Sequence, residues 1–296
     1  MKDLKGKTAF VVGGAAGMGL GMAKAFAAEG MNVIVADVRE EALEQARAEF
    51  QSGTVRLHTL RLDATDRADW RRAADEAERV FGRVHLLCNN VGGGAGLLRD
   101  ASFDDWDWML GVNLRSTING VHTMLPRILA HGEGGHIVNT SSLAGLAPFH
   151  GGGVYSVMKF AVTGLTESLR AELAGRDVGV SVLCPGLTKS SGATSRLRGV
   201  QTGAPASMAP TGAPPPVDPM AVAMEPDEVG RKVVRGIKRN DLYILTHSEV
   251  RTFIDGFFEE LLGAMPPPRP PPPPGGPARK YSVKFGEVYE TARPEG

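Results

Sequence analysis

A short apolar run that leads directly into a glycine-rich turn constrains the fold of this chain more than any other feature. Residues 7–14 read KTAFVVGG, and the turn continues as AAGMGLG to Gly21. The run predicts a buried strand, and the alanine-rich residues 18–30 predict a helix. This order lets the backbone approach a pyrophosphate while the helix N-terminus supplies N–H groups. The sequence therefore predicts a dinucleotide-binding unit at its beginning.

Apolar runs and stretches of helical period continue to alternate after this unit. The chain has 296 residues, of which 42% are hydrophobic, enough for a large core. Near-continuous apolar strands separated by helices indicate a parallel sheet that is covered on both faces. We predict an α/β fold, a single Rossmann-type, doubly wound parallel sheet of about seven strands. Further strands are predicted at 32–38, 55–64, 84–92, 134–142, 178–186 and 241–247, with helices at 39–50, 66–82 and 225–240.

The last third of the chain has a different composition. Residues 190–225 are rich in Gly, Ala, Ser and Pro, which predicts a long substrate loop, 187–225, inside a domain spanning 1–265. Pro226 fits the first turn of a helix, and 248–265 predicts a capped amphipathic helix. Residues 266–277, PPPRPPPPPGGP, favour polyproline II, and 278–296 form a polar tail.

Charge, cysteine and histidine patterns exclude several classes of protein. The 33 basic and 33 acidic residues balance, so we expect no nucleic-acid partner. No apolar run approaches the ~20 residues that span a bilayer, and the N-terminus lacks a signal-peptide pattern, so we expect a cytoplasmic protein without a membrane partner. Cys88 and Cys184 lie in apolar strands, which predicts buried free thiols. The seven histidines show no metal-like spacing, so we predict no metal.

Asp37 ends the second predicted strand, about 20 residues beyond the glycine turn. A carboxylate at this point accepts hydrogen bonds from the adenosine ribose and repels a 2′-phosphate. NAD is therefore the expected cofactor and NADP the less favoured one. Arg39 keeps the NADP alternative open, because an arginine just beyond the strand can meet a 2′-phosphate.

The stretch GGGVYSVMKF, residues 151–160, places Tyr155 and Lys159 one helical turn apart. The pair alone fits either a surface helix or a catalytic device. A phenol is a poor base at neutral pH, and a nearby cation lowers its pKa. We predict that Lys159, together with the oxidised ring of a bound nicotinamide cofactor, lowers the pKa of Tyr155 in this way.

With these residues assembled, the chain from Lys7 to about Glu260 resembles the short-chain dehydrogenase/reductase family. Three features carry the resemblance: the glycine turn, in which Gly13 replaces the usual Thr, the Tyr155–Lys159 pair, and Ser142 thirteen residues before Tyr155, with Ser141 as the adjacent alternative. The further matches are Asp63 in LDATD, NNVG at 89–92, Asn113 in GVNL and Pro185–Gly186.

The resemblance implies roles for individual residues. The implied catalytic set is Asn113, Ser142, Tyr155 and Lys159, with Tyr155 as general acid/base, Ser142 on the substrate oxygen and Asn113 anchoring a relay water. The implied cofactor contacts are Gly14, Gly17, Met18, Gly19, Asp37, Asp63, Ala64, Asn90, Gly92, Tyr155, Lys159, Pro185, Gly186, Thr188 and Ser190. Thr188 and Ser190 depart from the family pattern. Family members are usually homotetramers or homodimers.

The expected activity is NAD(H)-dependent interconversion of a secondary alcohol and a ketone by hydride transfer. A narrower resemblance to bacterial Cα-dehydrogenases indicates a bulky or aromatic substrate, with Ser142, His150 and Tyr155 as candidate contacts. The alternatives are an NADP(H)-dependent carbonyl reductase of the same family, a non-catalytic dinucleotide-binding protein, or an interaction protein that uses the segment 266–277.

Overall fold

The computed structural model describes residues 1–50, 55–94, 96–149, 151–189, 223–248 and 250–267. Four predicted features lie outside this range: His150, Ser190, residues 190–222 of the substrate loop, and 268–296 with most of the proline-rich segment. Among the helices that are described, none is long and apolar enough to cross a membrane.

A single sheet of seven parallel strands forms the centre of the molecule, in the order β3-β2-β1-β4-β5-β6-β7. This confirms the predicted fold class. Because the order reverses on either side of β1, the carboxyl ends of β1 and β4 open a crevice of the kind that binds ligands in such sheets. The strands are β1 (Thr8–Val12), β2 (Asn32–Asp37), β3 (Leu57–Arg61), β4 (Leu86–Asn89), β5 (Gly135–Thr140), β6 (Val178–Cys184) and β7 (Tyr243–Leu245).

Helices cover both faces of the sheet, since each buried strand presents alternate side chains to opposite sides. Ala9 and Val11 face one apolar cluster, and Phe10 and Val12 face the other. The first cluster includes side chains of α1, α2 and α7, and the second includes side chains of α3, α5 and α6. The helices are α1 (Gly17–Ala28), α2 (Glu40–Glu49), α3 (Arg67–Phe81), α4 (Phe103–Met109), α5 (Ser116–His131), α6 (Gly153–Glu172), α7 (Pro226–Arg239) and α8 (Arg251–Gly263).

Two local predictions about the helices have different outcomes. Pro226 stands in the first turn of α7, as predicted, where its missing N–H costs no hydrogen bond. The cap predicted for the last helix is wrong, because α8 has Val250 at its N-cap position, and a valine side chain offers no acceptor. None of the residues of α8 is buried, and Phe253, Phe258 and Leu262 are all exposed.

Both cysteines are buried free thiols, which confirms the prediction from their apolar surroundings. Cys88 lies in β4 and Cys184 ends β6, each with no exposed surface. Burial raises the pKa of the Cys184 thiol to about 12, so this group stays neutral at physiological pH.

Candidate active site

The glycine turn between β1 and α1 has a shape that side chains would obstruct. Gly13 and Gly17 adopt φ angles of +67° and +55°, a region that L side chains rarely enter. A Cβ on Gly19 would lie 2.0 Å from the Gly13 carbonyl oxygen. Ala16, at the N-cap of α1, makes no side-chain hydrogen bond, and the first turn holds no acidic residue. The N–H groups at this helix end are therefore suited to a phosphate.

A cavity of about 470 Å³ lies beside this turn, at the carboxyl ends of β1 and β2. Three residues predicted to contact the adenosine part of a dinucleotide line it, namely Asp37, Asp63 and Ala64. Asp63 is fixed by its neighbour, since its Oδ1 accepts hydrogen bonds from Thr65 N and Oγ1 at 2.9 and 2.7 Å. We name this space the adenosine-side cavity.

Within the adenosine-side cavity, Arg39 holds the carboxylate of Asp37. Arg39 Nε donates to Oδ1 at 3.1 Å, a terminal nitrogen donates to Oδ2 at 3.3 Å, and the Arg39 backbone N–H also reaches Oδ1. Both side chains are largely buried. The arginine that keeps the NADP alternative open is thus bound to the carboxylate that favours NAD.

A second cavity, of about 660 Å³, lies at the carboxyl ends of β4, β5 and β6, and we name it the catalytic cavity. Gly92, Gly93 and Gly94 line both cavities and so form a common wall between them. Predicted site residues that line the catalytic cavity are Met18, Asn90, Gly92, Ser142, Tyr155, Lys159, Pro185 and Gly186. Thr188 lies beyond this lining, fully buried, in a bridge with Met224.

The two adjacent serines after β5 have different surroundings. Ser141 is buried, and its hydroxyl is engaged with the Lys159 carbonyl oxygen and with Thr163 Oγ1, both at 2.8 Å. Ser142 is half-buried, accepts a hydrogen bond from Ala144 N at 3.2 Å and hydrogen-bonds Tyr155. Both serines line the catalytic cavity, and the geometry favours Ser142 as the one that contacts substrate, because the Ser141 hydroxyl is already engaged.

Tyr155 lies in the first turn of α6, and its phenol has a raised pKa. Loss of water around the ring raises this pKa most, while the hydrogen bond from Ser142 lowers it. The Lys159 ammonium lies 5.5 Å from the centroid of the ring. The lowering of this pKa by Lys159 together with the oxidised nicotinamide stays a prediction.

Lys159 follows one turn later on α6 and is buried with its charged group inside. Burial lowers the pKa of its ammonium to about 8, because the charged form loses its water. Its Nζ donates to the Thr140 carbonyl oxygen at 3.0 Å. This amine is therefore close to its titration point near neutral pH.

A chain of hydrogen bonds connects Lys159 to the glycine turn. Thr140, which accepts from Lys159 through its carbonyl, donates through Oγ1 to Asn90 Oδ1 at 3.2 Å. Asn90 Nδ2 in turn donates to the Gly13 carbonyl oxygen at 3.3 Å. Sequence reasoning missed Thr140, although its position at the end of β5, directly before the two serines, marks it for this edge of the sheet.

Asn113 lies in a π-helical segment, Leu110–Arg115, that joins α4 to α5. Such segments interrupt the regular ladder and often occur at functional sites. Asn113 Oδ1 accepts from Gly93 N at 3.0 Å, and Nδ2 donates to Gly93 O at 2.9 Å. The side chain thus fixes the common wall of the two cavities, and its predicted role as a water anchor stays a prediction.

A cluster of His85, His131 and Glu133 at the opposite, amino end of the sheet was not apparent from sequence spacing. Its ring nitrogens already carry hydrogen bonds. His85 Nδ1 accepts from Thr8 N, so its Nε2 bears the proton directed at Glu133, 2.9 Å away. His131 is engaged with Val84 O and Glu133 N. All four ring nitrogens of His85 and His131 are engaged in hydrogen bonds, whereas a metal ligand needs a nitrogen with a free lone pair.

Comparisons with known proteins identify a matching family and individual relatives of this chain. The model of the family described as short chain dehydrogenase matches residues 7–200. A C alpha-dehydrogenase of Sphingobium sp. is 38% identical over 275 residues, covering 90% of this chain and 88% of that protein.

Two solved structures extend the similarity to three dimensions. The apo form of LigD from Sphingobium sp. strain SYK-6 matches with a TM-score of 0.76 and 35% identity, covering 90% of this chain and all of the other (100%). A short chain dehydrogenase/reductase from Burkholderia phymatum in complex with NAD matches with a TM-score of 0.77 and 29% identity, covering 91% and 99% of the two chains.

Proposed function

Because this chain belongs to the short-chain dehydrogenase family, we propose that it is an NAD(H)-dependent oxidoreductase that interconverts a secondary alcohol and a ketone by hydride transfer. One observation carries the proposal. Ser142, Tyr155 and Lys159 converge on a single cavity, which shares its glycine wall with a second cavity suited to the adenosine part of a dinucleotide.

In this proposal Tyr155 is the general acid/base, and its phenolic oxygen exchanges the proton of the substrate hydroxyl. Ser142, which hydrogen-bonds Tyr155, also holds the substrate oxygen and stabilises negative charge that develops on it. When bound, the oxidised nicotinamide supplies a hydride acceptor and a positive charge. Lys159, protonated below its pKa of about 8, adds a second cation that favours the phenolate.

NAD is the proposed cofactor because of the carboxylate in the adenosine-side cavity. Asp37 is largely buried and offers oxygens to ribose hydroxyls, whereas a 2′-phosphate would meet its negative charge. Arg39 neutralises part of that charge, so Asp37 must share its oxygens between the guanidinium and the ribose. The related enzyme from Burkholderia phymatum, crystallised with NAD, supports this choice.

A bulky or aromatic alcohol is the proposed substrate. Phe149, Leu187 and Phe253 line the catalytic cavity and are exposed, so they present apolar surface at its mouth. A large hydrophobic substrate gains binding free energy by covering such side chains.

A screen of aryl and alkyl secondary alcohols, with NAD and NADP in parallel, tests the activity directly. We expect turnover with NAD, faster with aryl alcohols, and a loss of about 10²- to 10⁴-fold in kcat for Tyr155→Phe, the range that general acid/base groups contribute. Cofactor binding, followed by fluorescence titration, should be unchanged in this variant. Full turnover by a folded Tyr155→Phe enzyme would refute the mechanism, and tight NAD binding without any turnover would favour the non-catalytic alternative.

A homodimer or homotetramer is the proposed assembly. Val157 and Phe160 are exposed apolar side chains on α6, the helix that carries Tyr155 and Lys159, and Ile118 is exposed on α5, which follows the segment that carries Asn113. A second copy packed against these helices would bury them. Light scattering of the purified protein measures the assembly, and a monomer at micromolar concentration would contradict it.

A further inference from the structure

We propose that His247 is a positioning residue that holds the loop Pro185–Leu187 in place at the catalytic cavity. His247 lies two residues after β7, outside the described lining of both cavities. None of the family motifs recognised in the sequence includes it. It therefore acts on the reaction only through the loop that it holds.

The imidazole of His247 contacts the loop through both of its ring nitrogens. Nδ1 accepts a hydrogen bond from Gly186 N at 3.2 Å, and Nε2 lies 3.0 Å from the Leu187 carbonyl oxygen. Because Nδ1 accepts from an N–H, the proton of the neutral ring is on Nε2, and Nε2 donates to Leu187. Thr246 Oγ1, 2.6 Å from Nδ1, supports this arrangement and also accepts from Gly186 N at 3.2 Å.

Gly186 is packed so closely against the ring that no side chain would fit. A Cβ at this position would lie 2.7 Å from His247 Nδ1 and 2.8 Å from Cγ. The glycine of the Pro185–Gly186 pair thus has a local reason in this chain, which is the approach of the backbone to the imidazole. His247 and Gly186 form one unit across β6 and β7.

The loop transmits the position of His247 to the catalytic residues. Pro185, Gly186 and Leu187 all line the catalytic cavity, as does Tyr155. The Pro185 carbonyl oxygen accepts from Leu143 N at 3.1 Å, and Leu143 directly follows Ser142. A loop that moves away from His247 therefore widens the cavity and loosens the turn that carries Ser142. This inference rests on the proposed function, because it assigns His247 to the same cavity.

A histidine is suited to this place because one ring nitrogen accepts while the other donates in a different direction. An asparagine can replace the acceptor at Nδ1, and a glutamine can replace the donor at Nε2. Neither residue can make both contacts, because neither has two nitrogens fixed in position by a rigid ring. The three variants His247→Ala, His247→Asn and His247→Gln therefore separate the two contacts.

Steady-state kinetics of these three variants, each beside a thermal melt, test the inference. For His247→Ala we expect kcat/KM for the alcohol to fall about 10-fold, the effect of roughly one lost hydrogen bond, and mainly through KM. His247→Asn and His247→Gln should each recover part of the loss. The pH dependence of kcat should keep its wild-type inflections, since Tyr155 and Lys159 are not in contact with His247.

The control is His58→Ala, which removes a histidine of β3 that pairs with Glu76 of α3 and lines neither cavity. It should leave the KM for the alcohol and the KM for NAD unchanged. A His247→Ala enzyme with wild-type KM values would overturn the inference, even if its melting temperature fell, because a merely structural role would lower stability alone. If Asn and Gln both behave like Ala, the two-contact assignment is wrong. A dead Tyr155→Phe beside fully active His247 variants would refute this inference and leave the proposed function intact.

Discussion

The two cavities differ in the partner that each provides for a buried charge. In the adenosine-side cavity, Asp37 is paired on both carboxylate oxygens with Arg39, which is only two residues away. In the catalytic cavity, the described partner of the Lys159 ammonium is a neutral carbonyl oxygen, and burial lowers its pKa to about 8. One charge is neutralised locally, and the other is held at a cost in solvation free energy.

This difference corresponds to the role proposed for each cavity, which is cofactor recognition in the first and acid/base catalysis in the second. A recognition site needs a charge of constant sign, and the Asp37 carboxylate is held in place by the Arg39 guanidinium. An acid/base site needs groups whose protonation changes near the working pH, and desolvation brings Lys159 into that range. The glycine wall at 92–94 keeps the two environments adjacent without a side chain between them.

Substitution of Lys159 should affect the reaction more than any substitution in the adenosine-side cavity or the glycine wall. Lys159→Met should lower kcat by at least about 10²-fold, because the phenolate of Tyr155 loses a cation. Its melting temperature at pH 7 should match or exceed that of the wild type, since the described partner of the buried ammonium that is removed is a neutral carbonyl oxygen. Kinetics and calorimetry measure the two effects, and a variant that keeps wild-type kcat would refute the role of Lys159.

The wild type and Lys159→Met also test how the stability of the protein depends on pH. Lys159 releases its proton at about 8 in the folded state, but only near 10.5 in the unfolded state. Between these values the unfolded state binds more protons, so the stability contributed by this group rises with pH. The wild type should therefore gain stability relative to Lys159→Met from pH 8 to pH 10. If the difference in melting temperature between the two proteins stays constant across that range, the ammonium is not desolvated.

An intermediate effect is expected from the paired charge. Asp37→Asn keeps the shape of the side chain, removes its negative charge and releases Arg39 from its ion pair. The ratio of kcat/KM for NAD over NADP should fall about 10- to 100-fold, the size of hydrogen bonds to a charged group. Glu49→Gln, which removes a carboxylate from the exposed Lys24–Glu49 pair, serves as the control. An unchanged ratio would mean that Asp37 does not set the cofactor preference.

The smallest effect tests the wall that the cavities share. A Cβ on Gly92 would lie 2.7 Å from Lys159 Nζ and 2.9 Å from Asn113 Oδ1, and the flexible lysine end can move away. Gly92→Ala should therefore lower kcat and cofactor affinity together by up to about 10-fold, because a ~1 Å displacement in a site is already costly. Gly164→Ala on α6, where a Cβ meets nothing within 4 Å, should leave both unchanged. Loss of kcat alone would mean that the wall serves only the catalytic cavity.

Prediction from the sequence succeeded where the signal was local. The alternation of apolar strands with helices anticipated the sheet, and the Tyr155–Lys159 spacing anticipated one helix face, because both depend on backbone periodicity. The cap predicted for the helix at 248–265 was wrong, since Val250 occupies the N-cap position of α8 and local polar residues do not fix which turn is first. The partners of the site residues were harder, because Thr140, His247 and Gly186 lie far apart along the chain.

The order of strands and helices along the chain, the glycine turn and the residue types available for chemistry could be predicted from the sequence, since these follow from side-chain size, period and charge. The different hydrogen bonds of Ser141 and Ser142, the ion pair of Asp37 with Arg39 and the packing of the His247 ring against Gly186 appear only in the folded chain. The folded chain also makes burial the largest influence on the pKa of Tyr155. The physical reason is that solvation and hydrogen-bond geometry depend on what packs around a group, and the strands that meet at this edge come from distant parts of the chain.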